Sequence, residues 1–314
     1  MSDITAPAPS AAAPPATAAV PAPKPRRFIG NPWRRPIFLE GFTWLYVAWS
    51  LLPIGLAVLF SFNNGKSQSV WQGFSMRWYT TDPLNSVLHN PQLHAAVEQT
   101  LKLSLYTTLI AVPIGVAFAI GVDRWRSRPA SAANFVMVFS FVIPELIFGV
   151  ALFFVFNTLF TSIRLGTLAE TLGLVTWNLS WPAIIVRARL VSIGRQYEEA
   201  AADLGASKLE AVRRVLLPML APAIFASAVL VFSGVIDDFV LVDLLSSNAA
   251  TQPMSVIIYS NTHGGNGGPA LNALATLMLL FSFVVAILGY VGYRWMTRGE
   301  RSSREESLAN FAGI

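Results

Sequence analysis

The chain has 314 residues, of which 54% are hydrophobic and only 12% charged, against roughly 25% charged in soluble domains. It contains no cysteine, which excludes disulfide frameworks, thiolate metal sites and cysteine nucleophiles. The formal net charge of +5 would suggest nucleic acid for a soluble protein, but in so apolar a chain it predicts membrane orientation, and no nucleic-acid partner is expected.

The first 27 residues form a Pro/Ala-rich tract in which no apolar face repeats. We expect a disordered cytoplasmic tail, because such a sequence cannot bury a core. It does not resemble a signal peptide, since prolines interrupt any apolar run and the basic residues follow the tract.

Six apolar segments near the roughly 20 residues that a bilayer requires follow the tail. They predict an all-α, polytopic membrane domain over residues 28–298, with 299–314 as a short cytoplasmic tail. Five of them contain proline, which buried membrane helices tolerate. The segments are 39–62, 96–121, 133–157, 170–191, 219–241 and 270–294.

The basic residues predict the orientation, because Lys and Arg favour cytoplasmic loops. With both termini inside, 18 of the 22 basic residues are cytoplasmic. These are Lys24, Arg26, Arg27, Arg34, Arg35, Arg124, Arg126, Arg128, Arg187, Arg189, Arg195, Lys208, Arg213, Arg214, Arg294, Arg298, Arg301 and Arg304.

The first outer loop contains four aromatic residues, Trp71, Phe74, Trp78 and Tyr79. Aromatic residues in such a place commonly form a belt at the membrane interface. Ring faces also bind organic cations, at about 0.5–2 kcal/mol per contact. Both interpretations stay open for these side chains.

Three of the acids in predicted spans are candidate functional residues, because an ionisable group inside a membrane costs at least about 2.5–3.5 kcal/mol and is a functional hypothesis by default. Glu145, beside Pro144, is placed about 18 Å along the third span at helical rise, slightly past its middle. Asp237 and Asp238 are placed at the outer end of the fifth, where adjacent side chains point about 100° apart. One would then face a pathway while the other caps or packs. The alternatives are a Glu145 that is paired or protonated, and two solvated interfacial aspartates.

The polar block at 195–218 lies between two spans and predicts a pair of short cytoplasmic helices. Glu198, Glu199 and Asp203 suit the first helix, and Gly205 can adopt the left-handed conformation that ends it. Ser207 is a candidate N-cap for the second helix, which we expect to stop at Pro218. The pair could lie in the groove of another protein, or it could be an ordinary polar loop.

The order Glu199-Ala200-Ala201, Gly205 and Val215-Leu216-Leu217-Pro218 resembles the EAA loop of ABC-importer permeases. The resemblance implies a type I ABC importer permease fold of six transmembrane helices with a cytoplasmic coupling-helix pair. In that family the pair docks on the ATPase subunit. The coupling residues would be Glu199, Ala200, Ala201, Asp203, Gly205, Leu217 and Pro218.

Further segments resemble the spermidine/putrescine (polyamine), PotC-like permeases over about residues 40–295. They are SFN (61–63), WQGFSMRWY (71–79), IPE (143–145), VRARL (186–190), IDDFV (236–240) and NALATLMLL (272–280). The resemblance implies a substrate pathway at Trp71, Glu145 and Asp237 or Asp238, with Asp237 favoured; Phe74, Trp78 and Tyr79 are further candidates. The sequence departs from the family at Ala270, where an acidic residue is common.

The same resemblance implies a bacterial plasma-membrane protein that is not itself an enzyme. Its partners would be a second homologous permease, two ATP-binding-cassette ATPases, an extracytoplasmic substrate-binding protein and the lipid bilayer. Mg-ATP would be bound by the ATPases, so neither a cofactor nor a metal site nor a catalytic residue is expected in this chain.

Three alternatives stay open at this point. One is an importer of another small solute, such as an opine, a cationic amino-acid-like compound or ferric iron. The second is a secondary transporter driven by ions through Glu145. The third is a membrane scaffold or receptor, which would leave the intramembrane acids without a purpose.

Overall fold

A computed structural model of the chain describes residues 37–67, 69–124, 128–264 and 267–297. The predicted tails at 1–27 and 299–314 lie outside these residues. The described part is helical and contains no strand, only an isolated antiparallel bridge between Asn63 and Phe74. It therefore agrees with the predicted all-α class.

Twelve α-helices lie within the described residues, together with short π-helical turns at Arg77–Thr81, Val155–Leu159 and Val212–Leu216. In chain order the helices are α1 (Ile37–Ser61), α2 (Pro91–Arg124), α3 (Arg128–Val142), α4 (Glu145–Phe154), α5 (Thr167–Asn178), α6 (Ser180–Ile193), α7 (Gln196–Asp203), α8 (Lys208–Ala211), α9 (Leu217–Asp237), α10 (Val240–Leu245), α11 (Met254–His263) and α12 (Pro269–Met296).

The chain divides into two compact units between Leu52 and Pro53, within α1. In the first unit, the described residues 37–52 form a helix whose large apolar side chains are exposed, Phe38, Trp44 and Trp49 among them. Such a surface suits contact with lipid. The second unit contains the end of α1 and every other element.

The main core of the second unit lies among α2, α6 and α9 and includes Leu103, Leu190 and Leu220. The backbones of α2 and α6 approach closely at Gly115. A Cβ atom there would lie 2.9 Å from Pro182 Cγ and 3.0 Å from the Leu179 carbonyl oxygen. Small residues allow membrane helices to pack this tightly, so Gly115 fixes the crossing.

The helix α12 packs on α9 through two further glycines. A Cβ atom added at Gly289 would lie 2.4 Å from Val229 Cγ1, and one at Gly292 would lie 2.6 Å from Phe225 Cζ. A second apolar cluster, which includes Trp78, Leu93, Met254 and Leu274, lies where α2, α11 and α12 meet the outer loop. These contacts join the start of α12 to the loop and its end to α9.

Four helical stretches in the described residues are long and apolar enough to cross a membrane: α1, α2, Lys208–Asp237 and α12. The predicted span 133–157 is not one straight helix, because α3 and the stretch Glu145–Leu159 are bent by 107°. Pro144 is extended, with φ −59° and ψ 131°, since it lacks an N–H and disfavours helix before it. If this pair is one span, the described residues hold five.

The predicted fourth segment, 170–191, consists of α5 and α6, which meet at Leu179. Leu179 keeps a helical backbone with φ −57° and ψ −33°, so no loop separates the two helices. Each helix alone is too short to span a bilayer. The six-span topology therefore stays a prediction.

Candidate functional site

Two helix breaks place acidic residues at new helix starts. Pro144 separates α3 from α4, which begins at Glu145, and Asp238 separates α9 from α10. Asp238 is extended, with φ −61° and ψ 129°, much like Pro144. The first N–H groups of α4 and α10 lack intrahelical partners and point toward these breaks.

The two breaks bring Glu145 and Asp238 together. The Asp238 carboxyl group lies within hydrogen-bonding reach of Glu145 and of the backbone N–H groups of Leu241 and Val242. Its Oδ1 atom is buried without a hydrogen-bond partner. Ser255 Oγ donates to the Asp238 carbonyl oxygen at 2.6 Å and holds the break against α11. Asp238 therefore lies beside the starts of both α10 and α4.

The depth predicted for Glu145 assumed an unbroken third helix, which the bend at Pro144 contradicts; the depth itself stays a prediction. The bend at Pro144 makes Glu145 the first residue of α4, so helical rise from the start of α3 does not measure its depth. No Lys or Arg of the described residues forms an ion pair with Glu145 or Asp238. Two adjacent carboxyl groups without a cationic partner suit a bound cation or a shared proton.

Asp237 has a different environment from Asp238. Its side chain is exposed, and its Oδ1 accepts a long hydrogen bond from Ser282 Oγ of α12 at 3.4 Å. One aspartate thus caps and packs while the other is accessible, as the spacing of adjacent helical residues suggests. Which of the two meets a substrate stays a prediction.

The outer loop between α1 and α2 folds around Asn63, which is buried. Asn63 Nδ2 donates to the carbonyl oxygens of Ser67 and Val70, each at 2.9 Å, and Oδ1 accepts from the Gln72 N–H at 2.7 Å. One side chain therefore closes the turn that leads to Trp71. The hydrogen bonds of Asn63 therefore give this loop a defined conformation.

Trp71 and Phe74 remain accessible on this loop, with 42% and 70% of their surfaces exposed. Trp71 lies edge-on to Phe60, with ring centroids 6.3 Å apart, and Phe74 stacks on Phe62 at 5.3 Å. Both rings are held by a second ring while part of their surface stays free. They can act as an interface belt or as cation-binding faces, and their predicted contact with substrate is not decided by these positions.

Trp78 and Tyr79 hold the loop in place. Trp78 is only 3% exposed, and its Nε1 donates to the Asn63 carbonyl oxygen at 2.6 Å. The Tyr79 hydroxyl lies 2.7 Å from Ser61 Oγ. The ring of Trp78 is therefore closed to a passing ligand in this conformation, which corrects the expectation of a free ring face there.

Asp82 fixes the far end of the same loop. The backbone N–H groups of Asn85 and Leu84 and the guanidinium of Arg77 lower the pKa of its carboxyl group to about 2. Arg77 Nη2 lies 2.7 Å from Asp82 Oδ2, and the guanidinium lies 5.0 Å from the centre of the Trp78 ring. Asp82 therefore stays ionised at neutral pH, and its ion pair with Arg77 is retained there.

The predicted helix pair at 195–218 forms as expected in its first half. Gly205 has φ +87°, its N–H donates to the Ala202 carbonyl oxygen, and the Ala206 N–H donates to that of Ala201. This is a Schellman motif, which a left-handed glycine permits. Ser207 then forms a capping box with Glu210 and starts α8. The predictions for Gly205 and Ser207 are confirmed.

The second helix does not stop at Pro218, which corrects our prediction. From Lys208 the helical path runs through α8 and the π-helical turn Val212–Leu216 into α9. Pro218 is the second residue of α9 and directly follows the π-helical turn. Any displacement of α8 is therefore passed directly along the chain into α9.

The remaining coupling candidates are largely exposed. Glu199, Ala200 and Asp203 are open to solvent, and Leu204 beside them is 90% exposed. Ala201 and Leu217 are half-buried. A cavity of about 560 Å³ lies beside them, lined by residues that include Arg124, Glu199, Ala206 and Lys208. An exposed leucine next to a groove with charged walls suits a protein partner.

Residues 111–302 match the family described as the binding-protein-dependent transport system inner membrane component. The chain belongs to this family. As a member of the family it is a multi-pass membrane component of a transport system, in keeping with its long apolar helices.

Curated relatives of this membrane component cover nearly its whole length. It is 32% identical over 278 residues to the putrescine transport system permease protein PotI of Escherichia coli K12, covering 87% of this chain and 94% of that protein. It is 29% identical to the spermidine/putrescine transport system permease protein PotC of the same strain, covering 82% and 95%. The predicted resemblance to polyamine permeases is confirmed.

Solved ABC transporters share the fold of this membrane component. A bacterial transporter that imports the acidic polysaccharide alginate aligns with TM-score 0.66 and 18% identity, over 84% of this chain and 97% of that one. The methionine transporter MetNI aligns with TM-score 0.58 and 18% identity, over 68% and 100%. Both likenesses concern the fold alone.

Sequence reasoning missed a buried acid in this membrane component, Glu170 of α5. It is fully buried; its Oε2 accepts from Gln99 Nε2 at 2.7 Å, and its Oε1 has no hydrogen-bond partner. Gln99 Nε2 also donates to Thr167 Oγ1 at 2.9 Å, which ties α2 to the start of α5. The signal was available, because Glu170 is an ionisable residue at the start of a predicted span.

It also missed a stack of rings beside Asp238. The ring centroids of Phe239 and Tyr259 lie 4.2 Å apart, and those of Tyr259 and His263 lie 4.0 Å apart. Tyr259 and His263 both belong to α11. His263 is the last residue of α11. Only the four-residue spacing of Tyr259 and His263 could have indicated this contact from sequence.

Proposed function

We propose that the chain is the transmembrane permease subunit of an ATP-binding-cassette importer for polyamines. The observation that carries this proposal is the contact between Glu145 and Asp238 at two helix breaks, without a cationic partner in the described residues. An ammonium group of the substrate can take the place of the missing cationic partner. The names of PotI and PotC, which include putrescine and spermidine, support the same substrate class.

The fold alone does not select a cation. A more distant relative is the sulfate transport system permease protein CysT of Salmonella typhimurium, at 26% identity, and the alginate transporter imports an acidic polysaccharide. Two uncompensated carboxyl groups would repel either anion, and they would attract an alkylammonium ion. The acid pair therefore favours a polyamine over an anion.

The proposed path runs inward from the outer loop. Trp71 and Phe74 offer ring faces, Asp237 or Asp238 offers the first carboxylate, and Glu145 follows. Each contact replaces part of the hydration that the cation loses, without a single deep well that would trap it. A flexible diamine or triamine can contact a ring and a carboxylate at once.

Alternating access requires partners that this chain does not contain. We propose a second homologous permease, two ATPase subunits that bind Mg-ATP, and an extracytoplasmic binding protein. Both termini and the coupling loop 195–218 lie in the cytoplasm, and six helices span the membrane. Glu199, Ala200, Ala201, Asp203, Gly205, Leu217 and Pro218 form or position the surface that docks on an ATPase.

The test is uptake by the complex of both permeases and the ATPases, reconstituted in proteoliposomes with its binding protein. We expect labelled putrescine or spermidine to enter only with ATP on the ATPase side, and vanadate to stop it. Uptake that persists in vanadate but follows an ion gradient would assign an ion-driven carrier. Uptake of sulfate or a neutral solute without polyamine uptake would reject the polyamine and leave the importer.

A further inference from the structure

An ion pair joins the cytoplasmic end of α2 to the first helix of the coupling loop. Arg124, the last residue of α2, donates from Nε to both Glu198 carboxylate oxygens at 3.0 Å, and from Nη2 to Oε1 at 2.5 Å. Nη2 also donates to the Gly194 carbonyl oxygen at 3.3 Å. The side chains of Arg124 and Glu198 are only 17% and 20% exposed.

A second contact beside it has the same effect. Arg195, the N-cap of α7, donates from Nη2 to the carbonyl oxygen of Asp123 at 2.9 Å, and Arg124 itself pairs with the Asp123 carboxylate. Thus the arginine at the end of α2 contacts α7, and the arginine at the start of α7 contacts the end of α2. Planar guanidinium groups with two bonds to one carboxylate fix orientation as well as distance.

No residue of α7 is fully buried, whereas α8 buries Ala211 and the adjoining π-helical turn buries Leu216. The chain connects α7 to α6 through Gly194 and to α8 through Gly205. In the described residues, the side-chain hydrogen bonds between the end of α2 and α7 are those of Arg124 and Arg195.

The helix α2 can carry a displacement across the bundle. Its 34 residues extend about 51 Å at helical rise. Its other end is joined to the outer part of the fold, where Gln99 bonds Glu170 and Thr100 Oγ1 accepts from the Met254 N–H at 2.9 Å. We therefore expect a shift of Arg124 along the axis of α2 to move the residues of α2 that contact α5 and α11.

We infer that the Arg124–Glu198 ion pair transmits movement of the coupling loop to α2, and we call this pair the strut. The inference rests on the proposed function, in which an ATPase displaces that loop. The loop then drives the bundle by two routes: along the backbone into α9, and through the ion pair into α2. Arg124 and Glu198 are positioning residues and touch neither nucleotide nor substrate.

The first test follows α2 without requiring any knowledge of the substrate. A single cysteine replaces Gln92, an exposed residue at the far end of α2, in a chain that has no native cysteine. In the assembled complex, we expect its labelling rate by a maleimide to change several-fold between the nucleotide-free and the ATP–vanadate-trapped states. Arg124→Gln and Glu198→Gln should abolish most of that change, and the exchanged pair Arg124→Glu with Glu198→Arg should restore much of it.

The matched control is Arg214→Gln, which removes an exposed contact to Glu210 within the same loop, with 3.9 Å between Nη2 and Oε1. It should leave the trapping response as in the wild type. If Arg124→Gln prevents assembly, Arg124→Lys keeps the charge without the two-pronged geometry, and an intermediate response is expected. A response unaltered in Arg124→Gln, Glu198→Gln and Arg124→Lys, or absent from the wild type, overturns the inference.

A second readout is the amount of substrate moved per ATP hydrolysed. We expect Arg124→Gln to lower this ratio several-fold and the exchanged pair to recover it. Absence of polyamine uptake in the wild type would reject the substrate assignment and leave the labelling test intact. An unchanged ratio in Arg124→Gln with normal wild-type uptake would reject the strut alone.

Discussion

The Asp238 carboxyl group, beside the start of α10, lies within hydrogen-bonding reach of Glu145, the first residue of α4. The helix starts that follow the two breaks thus lie beside each other, and an acidic residue lies at each of them. A helix N-terminus favours negative charge, which offsets part of the cost of keeping the two carboxyl groups adjacent.

Asp238 carries a charge and lies beside the backbone N–H groups of Leu241 and Val242, and two substitutions separate these features. Asparagine keeps an oxygen that can accept from these N–H groups, whereas alanine removes it, at a cost of about 1 kcal/mol of stability. We expect Asp238→Asn to lower putrescine uptake while the melting temperature of the purified complex hardly changes. Asp238→Ala should lower both.

Asp243→Asn is the matched control, because Asp243 is an exposed acid on the same short helix. It should transport normally. Equal uptake by Asp238→Asn and Asp243→Asn would show that the charge of Asp238 has no part in transport. Asp237→Asn should lower uptake as well if the accessible aspartate is a step on the path.

Gly205 should not tolerate a β-branched residue. Its φ of +87° costs an ordinary residue about 1–2 kcal/mol, although no atom lies within 4 Å of an added Cβ. We expect Gly205→Val to reduce co-purification of the ATPase and transport, while insertion into the membrane persists. Gly205→Asn, which accepts left-handed conformations, should retain more of both activities; identical behaviour of the two variants and the wild type would argue against a docking role.

The contact between α12 and α9 should fail when Gly289 is enlarged. The Cβ of an added side chain would meet Val229 at 2.4 Å, and overpacking of this kind costs about 1–3 kcal/mol. We expect Gly289→Val to lower the melting temperature in detergent, and Val229→Ala to restore part of it. Gly55→Ala, where an added Cβ meets nothing within 4 Å, is the control and should not lower the melting temperature.

The orientation can be tested with one introduced cysteine at Ser207, since no native cysteine interferes. The distribution of Lys and Arg predicts that the coupling loop lies in the cytoplasm. We expect a membrane-impermeant maleimide to label Ser207→Cys in inside-out vesicles or permeabilised cells only. Labelling from outside intact cells would reverse the topology.

Local features were predictable from sequence and the contacts of the site were not. Gly205 and Ser207 act within a few residues of themselves, so their turn and cap could be read directly. The prolines show the limit: Pro113 and Pro222 lie inside helices that continue, whereas Pro144 ends one. Whether neighbouring helices satisfy the freed groups is decided by tertiary packing.

The same limit applies to the acids. Glu145 and Asp238 were each predicted to lie within a span, but their contact depends on two breaks in distant parts of the chain. Glu170 was overlooked although it is an ionisable residue in a predicted span; only its bond to Gln99 of another helix could not be derived from sequence. The adjacent acids Asp237 and Asp238 could be divided into an accessible residue and one at a helix break only once the end of α9 was known.

The most direct measurement for the polyamine path is the initial rate of putrescine uptake by Glu145 variants in the reconstituted complex. Loss of one charged hydrogen bond, about 1.5–3 kcal/mol, corresponds to roughly tenfold to hundredfold slower uptake at low substrate concentration. We expect Glu145→Gln to show such a loss, Glu145→Asp to lie between it and the wild type, and the ATPase to co-purify equally with all three. Wild-type rates of putrescine and spermidine uptake in Glu145→Gln would contradict the account.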